Sequence, residues 1–346
     1  MKNVLITGGA GFIAHHLIHF LLKKTNWNIV SLDRLDYSGN LNRLDHILSQ
    51  LEEKDKQRVK IVFHDLKSEI NPWIENQIGE IDIILHLAAG SHVDRSIDYP
   101  MEFVLDNVVG TANILNFAKK LNDENGLERF IYFSTDEVFG PAPKGVDYNE
   151  NDRYNSTNPY SATKAGGEEL AVAYENTYGL PVYVTHTMNV FGERQHPEKF
   201  IPMTIKNARD GNMVTIHSDR DKKIPGSRHY IHAKDVADGM LFLLQNQDKI
   251  DNLEKDYGGA KCPKFNLVGP VEWDNLTLAQ KIAMAQNKEL KYKMVDFHSS
   301  RPGHDLRYAL DGTLMKELGW EPKVSIDERI SQVVNWTLNN DRWLKL

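Results

Sequence analysis

The sequence predicts an α/β fold: a doubly wound parallel sheet in its first half, followed by a smaller mixed α/β lobe. Three observations carry this expectation. Short apolar segments alternate with amphipathic helical ones up to residue 187. The segment Ile81–Leu87 is apolar at nearly every position, as a strand buried on both faces must be. A glycine turn at residues 7–14 joins the first such segment to the first helix.

The elements follow in order. Val4–Thr7 reads as the first strand and Gly11–Lys24 as an amphipathic helix. Further strands are expected at Ile29–Leu32, ending at Asp33, and at Val59–Phe63, Ile81–Leu87, Phe130–Ser134 and Val182–His186. Between them lie a long helical stretch from about Val93 to Leu121 and a helix over Pro159–Tyr178. The second half is less regular. It offers helices at Pro197–Arg209, Ala233–Gln245 and Leu276–Gln286, a strand at Phe265–Val268, and an exposed, mobile charged loop at His217–Ser227. The tail Ile326–Leu346 reads as helical, with Trp336 and Trp343 in the core. The expected division gives residues 1–187 to the sheet domain, with 229–262 returning to it, and 188–228 and 263–346 to the second lobe.

Composition bounds the function. A chain of 346 residues, 41% hydrophobic and 26% charged, can bury a large core as a soluble globular protein. The net charge of −7 speaks against nucleic acid or an anionic membrane as partner, while local Arg and Lys residues leave phosphorylated ligands open. No apolar run reaches the roughly 18 residues of a membrane span, and the N-terminus runs straight into the first strand, so neither span nor leader is expected. Cys262 is the single cysteine, expected to be a bystander; it excludes an intrachain disulfide and fits a reducing, cytoplasmic location.

Open parallel sheets bind ligands beyond the carboxyl ends of their strands. Gly8, Asp33, Asp65, Ala88, Thr135 and Thr187 all lie just after strands. Gly8, Gly11 and Ala14 form G-x-x-G-x-x-A, a Rossmann-type turn that lets a pyrophosphate approach the N–H groups at a helix start. Asp33 can accept ribose hydroxyls and repel a 2′-phosphate, which favours NAD over NADP; Arg34, directly after it, tempers that preference. Tyr160 and Lys164 share one helix face, where a cation beside a phenol favours the phenolate and so a base for an alcohol proton. Asp136 and Glu137 add two acids that can move protons on carbon and expel water, provided the strand has already ended. His92, His186, His196 and His232 have no metal-ligand spacing; structural roles and no metal are expected.

These residues resemble an extended short-chain dehydrogenase/reductase, and within that superfamily the nucleotide-sugar 4,6-dehydratases. The similarity spans nearly the whole chain. It includes Asp36-Tyr37-Ser38-Gly39-Asn40-Leu41, Ala88-Ala89-Gly90-Ser91-His92-Val93-Asp94-Arg95-Ser96, Ser134-Thr135-Asp136-Glu137-Val138-Phe139-Gly140 and Asn158-Pro159-Tyr160-Ser161-Ala162-Thr163-Lys164. It continues in His196-Pro197-Glu198-Lys199-Phe200-Ile201-Pro202 and Arg301-Pro302-Gly303-His304-Asp305-Leu306-Arg307-Tyr308. The Thr-Asp-Glu triplet is the discriminating item. There are departures: Ala14 replaces a third glycine, and His15-His16, expected on the helix surface, replace a commoner small pair. Gly90 stands where many dehydratases have glutamate, the loop at 217–227 looks longer than usual, and Arg228-His229-Tyr230 replaces Arg-Asp-Trp.

The resemblance implies a lyase with bound NAD that converts a nucleotide-diphosphate hexose, dTDP-glucose favoured, to its 4-keto-6-deoxy product. Tyr160, its pKa lowered by Lys164, would take the C4 hydroxyl proton while hydride passes to NAD, with Thr135 bonded to that oxygen. Glu137 would act as base at C5 and Asp136 as acid towards the C6 hydroxyl, before hydride returns to C6. Phe12, Ile13, Asp65, Leu66 and Ala88 would complete the NAD site. Arg228 and Arg301 would clamp the diphosphate, and Asn189 and Asn266 would hold pyrophosphate or nucleoside. Glu198 and Lys199 would line base and sugar, His304 would meet phosphate or ribose, and Ser91 the sugar. The stretches 93–121 and 159–178 resemble helices that pair across a homodimer as a four-helix bundle. Two other readings stay open: an epimerase or decarboxylase on the same fold, and a non-catalytic NAD-binding sensor. The base (thymine, uracil, cytosine or guanine) and the hexose also stay open.

Overall fold

The structure is a computed structural model that describes residues 1–36, 38–251, 262–296 and 306–345. In chain order the first half forms β1 (Asn3–Thr7), α1 (Phe12–Lys24), β2 (Asn28–Asp33), α2 (Leu41–Leu48), α3 (Glu53–Lys56), β3 (Val59–Phe63), α4 (Pro72–Ile78) and β4 (Ile83–His86). There follow α5 (Val93–Asp98), α6 (Pro100–Val104), a π turn at Leu105–Val109, α7 (Gly110–Asn125), β5 (Arg129–Phe133), α8 (Pro159–Tyr178) and β6 (Val182–Thr187). The second half gives β7 (Asn189–Phe191), α9 (Phe200–Asp210), β8 (Val214–Ser218), β9 (Ser227–His232), α10 (Ala233–Gln245), α11 (Gln247–Asp251) and β10 (Lys264–Leu267). Then come β11 (Glu272–Asp274), α12 (Asn275–Met284), β12 (Tyr292–Asp296) and two further helices, Thr313–Leu318 and Ile326–Asn339.

Seven parallel strands form the main sheet in the order β10-β6-β5-β4-β1-β2-β3. Each of its faces is covered, which is why the central strands carry apolar residues on both sides. α1 and α10 bury Leu17, Ile18, Leu21, Val236 and Met240 on one face. α4, α7 and α8 bury Ile74, Ile114, Leu115, Ala118 and Ala171 on the other. β10 pairs with β6, so residues 264–267 belong to this sheet rather than to the second lobe, where residues 263–346 were expected. The second lobe instead uses β11-β9-β7 and β12-β8, and its core gathers Ile201, Ile205, Leu278, Ile282, Ile330 and Val334.

Four expectations need correction. The stretch from Val93 to Leu121 is not one helix. Pro100 keeps Tyr99 out of the helical region (φ −131°, ψ 58°), so α5 stops at Asp98, and the π turn interrupts the run again before α7. The helix expected from Pro197 begins only at Phe200, which leaves His196–Lys199 as loop. His15 and His16 are buried, not on the surface, because α1 is covered on both flanks. His15 Nδ1 donates to Gly11 O at 3.0 Å, and its Nε2 accepts from Arg194 Nε at 2.8 Å. Burial, then His16, Arg194 and Arg43, hold this imidazole well below its usual pKa, so it is neutral and its tautomer is fixed by the two partners. Arg194, a non-glycine residue at φ +65°, offers its carbonyl to Arg43 Nε at 3.1 Å, and Arg43 Nη1 reaches Ala10 O and Ser38 O. Trp343 is buried as expected, while Trp336 is half-exposed beneath the Arg194 guanidinium. The tip of the 217–227 loop is exposed and is closed by Asp219, whose carboxylate accepts from the N–H groups of Lys223 and Ile224.

Candidate active site

A cleft of about 710 Å³ runs along the carboxyl ends of the sheet, between the glycine turn and the second lobe. At one end, Gly8 takes φ +69°, and a Cβ there would lie 2.9 Å from the Ala88 backbone. A Cβ on Gly11 would lie 2.8 Å from Gly8 O. The turn is therefore built from residues without side chains, and it delivers the unpaired first N–H groups of α1, at Phe12 and Ile13, to the cleft. Asp33 ends β2 and accepts from Ala10 N at 3.0 Å and Leu35 N at 2.8 Å. Its burial outweighs those bonds and raises its pKa. Asp65, Leu66 and Ala88 line the same end.

The chemistry-bearing corner lies where β5 stops. Thr135 starts a 3₁₀ turn over Asp136–Phe139, so the two acids are not on opposite faces of a strand. Gly140 ends that turn at φ +75°, where a Cβ would strike Asn155 O at 2.2 Å. Thr135 Oγ1 donates to Asp136 Oδ1 at 3.0 Å, and Glu137 Oε2 accepts from Asn158 Nδ2 at 3.0 Å. Asn158 also caps α8 in a reciprocal pair with Ser161, and so fixes the helix start on which Tyr160 sits. Tyr160 N donates to Ser96 Oγ at 3.1 Å, and its ring meets Phe103 edge-on. Ser134 Oγ donates to the fully buried Glu168 at 2.6 Å, which ties the end of β5 to α8. The sequence thus brings Thr135, Asp136, Glu137, Tyr160 and Lys164 to one wall of the cleft.

Their electrostatics depart from the sequence-based expectation at one point. Burial, then the Glu137 charge, push the Tyr160 phenol up, although a hydrogen bond with Thr135 works the other way. Lys164 does not offset this. Its Nζ donates to Phe133 O at 2.7 Å, and burial brings the ammonium down to about 7. Burial, then the Asp136 charge, push Glu137 up to about 7. Burial also raises Asp136, against the pull of Arg228.

At the far end, Ser91, Asn189, Glu198, Lys199 and Arg228 line the cleft. Arg228 Nη1 donates to Ser227 O and Leu306 O at 2.6 and 2.7 Å, and its guanidinium lies 4.6 Å from the Tyr308 ring. Asn266 does not join them. It is fully buried, accepts from or donates to His186, and donates to Tyr148 O and Asp311 O, so it pins β10 to its neighbours. Arg301 and His304 lie outside the described residues. Two residues given structural roles by sequence line the cleft instead: His92 and His196, whose ring nitrogens lie 3.9 and 3.7 Å from Glu198 Oε2. Their position beside Ser91 and Pro197-Glu198-Lys199 was the available signal. His186 and His232 are buried, and the described residues hold no group of His, Cys, Asp and Glu placed to share a metal ion.

A parallel sheet of this order, with a glycine turn after β1 and Tyr and Lys one turn apart on α8, is the architecture of an extended short-chain dehydrogenase/reductase. The chain belongs to the family described as GDP-mannose 4,6 dehydratase, which matches residues 5–333. It is 35% identical over 339 residues to the low-salt glycan biosynthesis protein of Haloferax volcanii, covering 98% of this chain and 99% of that one. It is 32% identical over 368 residues to an Escherichia coli dTDP-glucose 4,6-dehydratase, covering 99% and 95%. The dTDP-glucose 4,6-dehydratase DesIV of Streptomyces venezuelae, solved with NAD and TYD bound, superposes with a TM-score of 0.83 at 30% identity over 99% of both chains.

Proposed function

We propose that this protein is an NAD-dependent nucleotide-sugar 4,6-dehydratase that converts a nucleotide-diphosphate hexose, dTDP-glucose favoured, to the 4-keto-6-deoxy sugar. One observation carries the reading: Asp136 and Glu137 share a 3₁₀ turn that opens on the same cleft wall as Tyr160 and Lys164. The other end of the cleft suits NAD. The Gly8–Gly11 turn would hold the pyrophosphate on the N–H groups at Phe12 and Ile13, and Asp33 would accept the ribose hydroxyls, beside Asp65, Leu66 and Ala88. When bound, NAD supplies a reversible acceptor for the electron pair released at C4 and restored at C6.

The chain's own residues handle the protons. Tyr160 takes the C4 hydroxyl proton as the ketone forms; burial and the Glu137 charge hold the phenol protonated, so this step would draw on the positive charge that an oxidised nicotinamide bound in the cleft would add beside Thr135 and Tyr160. The ketone acidifies C5, and Glu137, with its pKa about 7, is matched to taking that proton near neutral pH. Asp136, raised by burial, gives its proton to the C6 hydroxyl as the C6–O bond breaks and water leaves. Glu137 then returns a proton to C5. Arg228 faces the diphosphate, and Ser91, Asn189, Glu198 and Lys199 face the sugar and base. We place Arg301 and His304 with them on resemblance alone.

The test is to incubate the protein with dTDP-, UDP-, CDP- and GDP-hexoses and record product mass and NADH absorbance. The product should be lighter than its substrate by one water, with bulk NAD unchanged. Stoichiometric NADH accumulation during steady turnover, or a C4 epimer of unchanged mass, would overturn the assignment.

We further propose a homodimer built on α5–α7 and α8. Ile97, Tyr99, Met101, Leu105 and Tyr178 are large apolar or aromatic side chains left exposed there. Light scattering at micromolar concentration should return twice the chain mass; a monomer would contradict the proposal. A single cysteine, Cys262, allows no intrachain disulfide, which supports a cytoplasmic location, and among the described residues no helix is long and apolar enough to cross a membrane.

A further inference from the structure

The end of the cleft beside Asp33 carries charges that the proton chemistry does not use. Arg34 points its guanidinium into a ring of carboxylates. Nη1 and Nη2 donate to Asp106 Oδ1 and Oδ2 at 2.5 and 2.8 Å, Nε donates to Asp36 Oδ2 at 2.8 Å, Nη2 also donates to Asp36 Oδ2, and Nη1 lies 3.5 Å from Asp65 Oδ1. Hydrogen bonds to Asp106, then to Asp36, raise the Arg34 pKa above its usual value. The two-point pair with Asp106 joins the end of β2 to the π turn before α7. Asp106 is the more buried partner, its side chain 11% exposed against 27% for Arg34. Gly90 leaves room for it: a Cβ there would stand 3.0 Å from the Phe103 ring and 3.3 Å from Asp106 Oδ2. The glycine that departs from the dehydratase pattern and the irregular turn in the helix therefore meet at one carboxylate. Lys67, a second cation lining this end, has its Nζ 3.3 Å from Asp65 Oδ2.

We propose that Asp106 is a cofactor-specificity residue. By holding both Nη groups of Arg34, it denies a 2′-phosphate the cation that stands next to Asp33, so the cleft selects NAD over NADP. Release from Asp106 leaves Nε and Nη2 on Asp36 but leaves Nη1 with only its 3.5 Å contact to Asp65, so that it can meet a phosphate oxygen in one charge-assisted bond. Asp33, Asp36, Asp65 and Asp106 outnumber the cations Arg34, Arg43 and Lys67 that line the cleft with them, so the excess charge met by a phosphate on the ribose is negative. The proposal rests on the dinucleotide reading of the cleft.

The experiment measures equilibrium binding of NAD and of NADP to the full-length protein, freed of co-purifying nucleotide, and to its Asp106→Asn variant. The native protein should prefer NAD. In Asp106→Asn, NADP affinity should rise by roughly tenfold, the scale of one charge-assisted bond, with NAD affinity little changed. Adding Arg34→Ala to that variant should abolish the gain. Equal weakening of both nucleotides, or an unchanged preference, would overturn the role of Asp106 while leaving the dinucleotide site standing. A native protein that binds neither nucleotide would remove the site itself. Should Asp106→Asn fail to fold, Arg34→Ala alone decides: it should leave NADP affinity unchanged, and a loss would mean that Arg34 already serves the phosphate.

Discussion

Replacing Tyr160 by Phe is expected to lower kcat by roughly 10²-fold or more while NAD still binds. The substitution removes only the hydroxyl. The ring keeps its edge-on contact with Phe103, and the backbone N–H keeps its bond to Ser96, so α8 should hold its place. What is lost is the acceptor for the C4 hydroxyl proton and the oxygen that Thr135 addresses. The glycine turn lies at the other end of the cleft, and Lys164 keeps its own bond to Phe133 O. Steady-state turnover of dTDP-glucose, paired with NAD titration, separates the two effects. Near-normal turnover would strip Tyr160 of its role; loss of NAD binding along with turnover would point to a collapsed site instead.

The two acids should fail in different ways. Glu137→Gln keeps an acceptor for Asn158 and leaves Tyr160 untouched, so oxidation at C4 can proceed, but C5 keeps its proton. The variant should stall with bound NADH absorbance, no dehydrated product and little exchange of C5 hydrogen with solvent. Asp136→Asn should still oxidise C4 and exchange C5, and lose speed only where the C6 hydroxyl departs. The sign of the pH dependence follows from Glu137. With its pKa at about 7, the carboxylate that serves as base is lost as pH falls through neutrality, so kcat/KM of the native enzyme should drop on the acid side. The C4 oxidation seen in Glu137→Gln should lack a Glu137-dependent acid limb. Full dehydration by both variants would make the acids bystanders and return the assignment to a sugar-nucleotide dehydrogenase fold.

What sequence could convey depended on distance along the chain. The strands of the seven-stranded sheet, the glycine turn and the limits of α8 are local patterns, and the structure has them close to where the pattern put them, whereas the short strands β7, β8, β9, β11 and β12 of the second half were not expected. The π turn at Leu105–Val109 was not legible, because its residues are as compatible with an α-helix as those around them. Two histidines at positions 15 and 16 look like solvent-facing polar residues; their burial is decided by a loop near residue 194. Asn266 matched a ligand-binding pattern, yet its partners Tyr148, His186 and Asp311 come from three distant segments. The pKa of Tyr160 went the opposite way from the expectation drawn from Lys164. Pair spacing on a helix reveals that two groups are neighbours, but it does not reveal how deeply both are buried.

The contacts among His15, Arg43 and Arg194 bear on how this chain can be recombined. Each residue comes from a different stretch, and each completes a hydrogen-bond requirement of another or of the turn at Ala10 and Gly11. A hybrid that takes its second lobe from a homologue would bring a foreign residue 194 to a buried, neutral imidazole whose Nε2 needs a donor. The crossover point that looks natural, the boundary after β6, therefore cuts through one hydrogen-bonded unit. Hybrids that carry residues 15, 43 and 194 from one parent should fold more often than those that divide them, even where the divided ones preserve every residue facing the substrate.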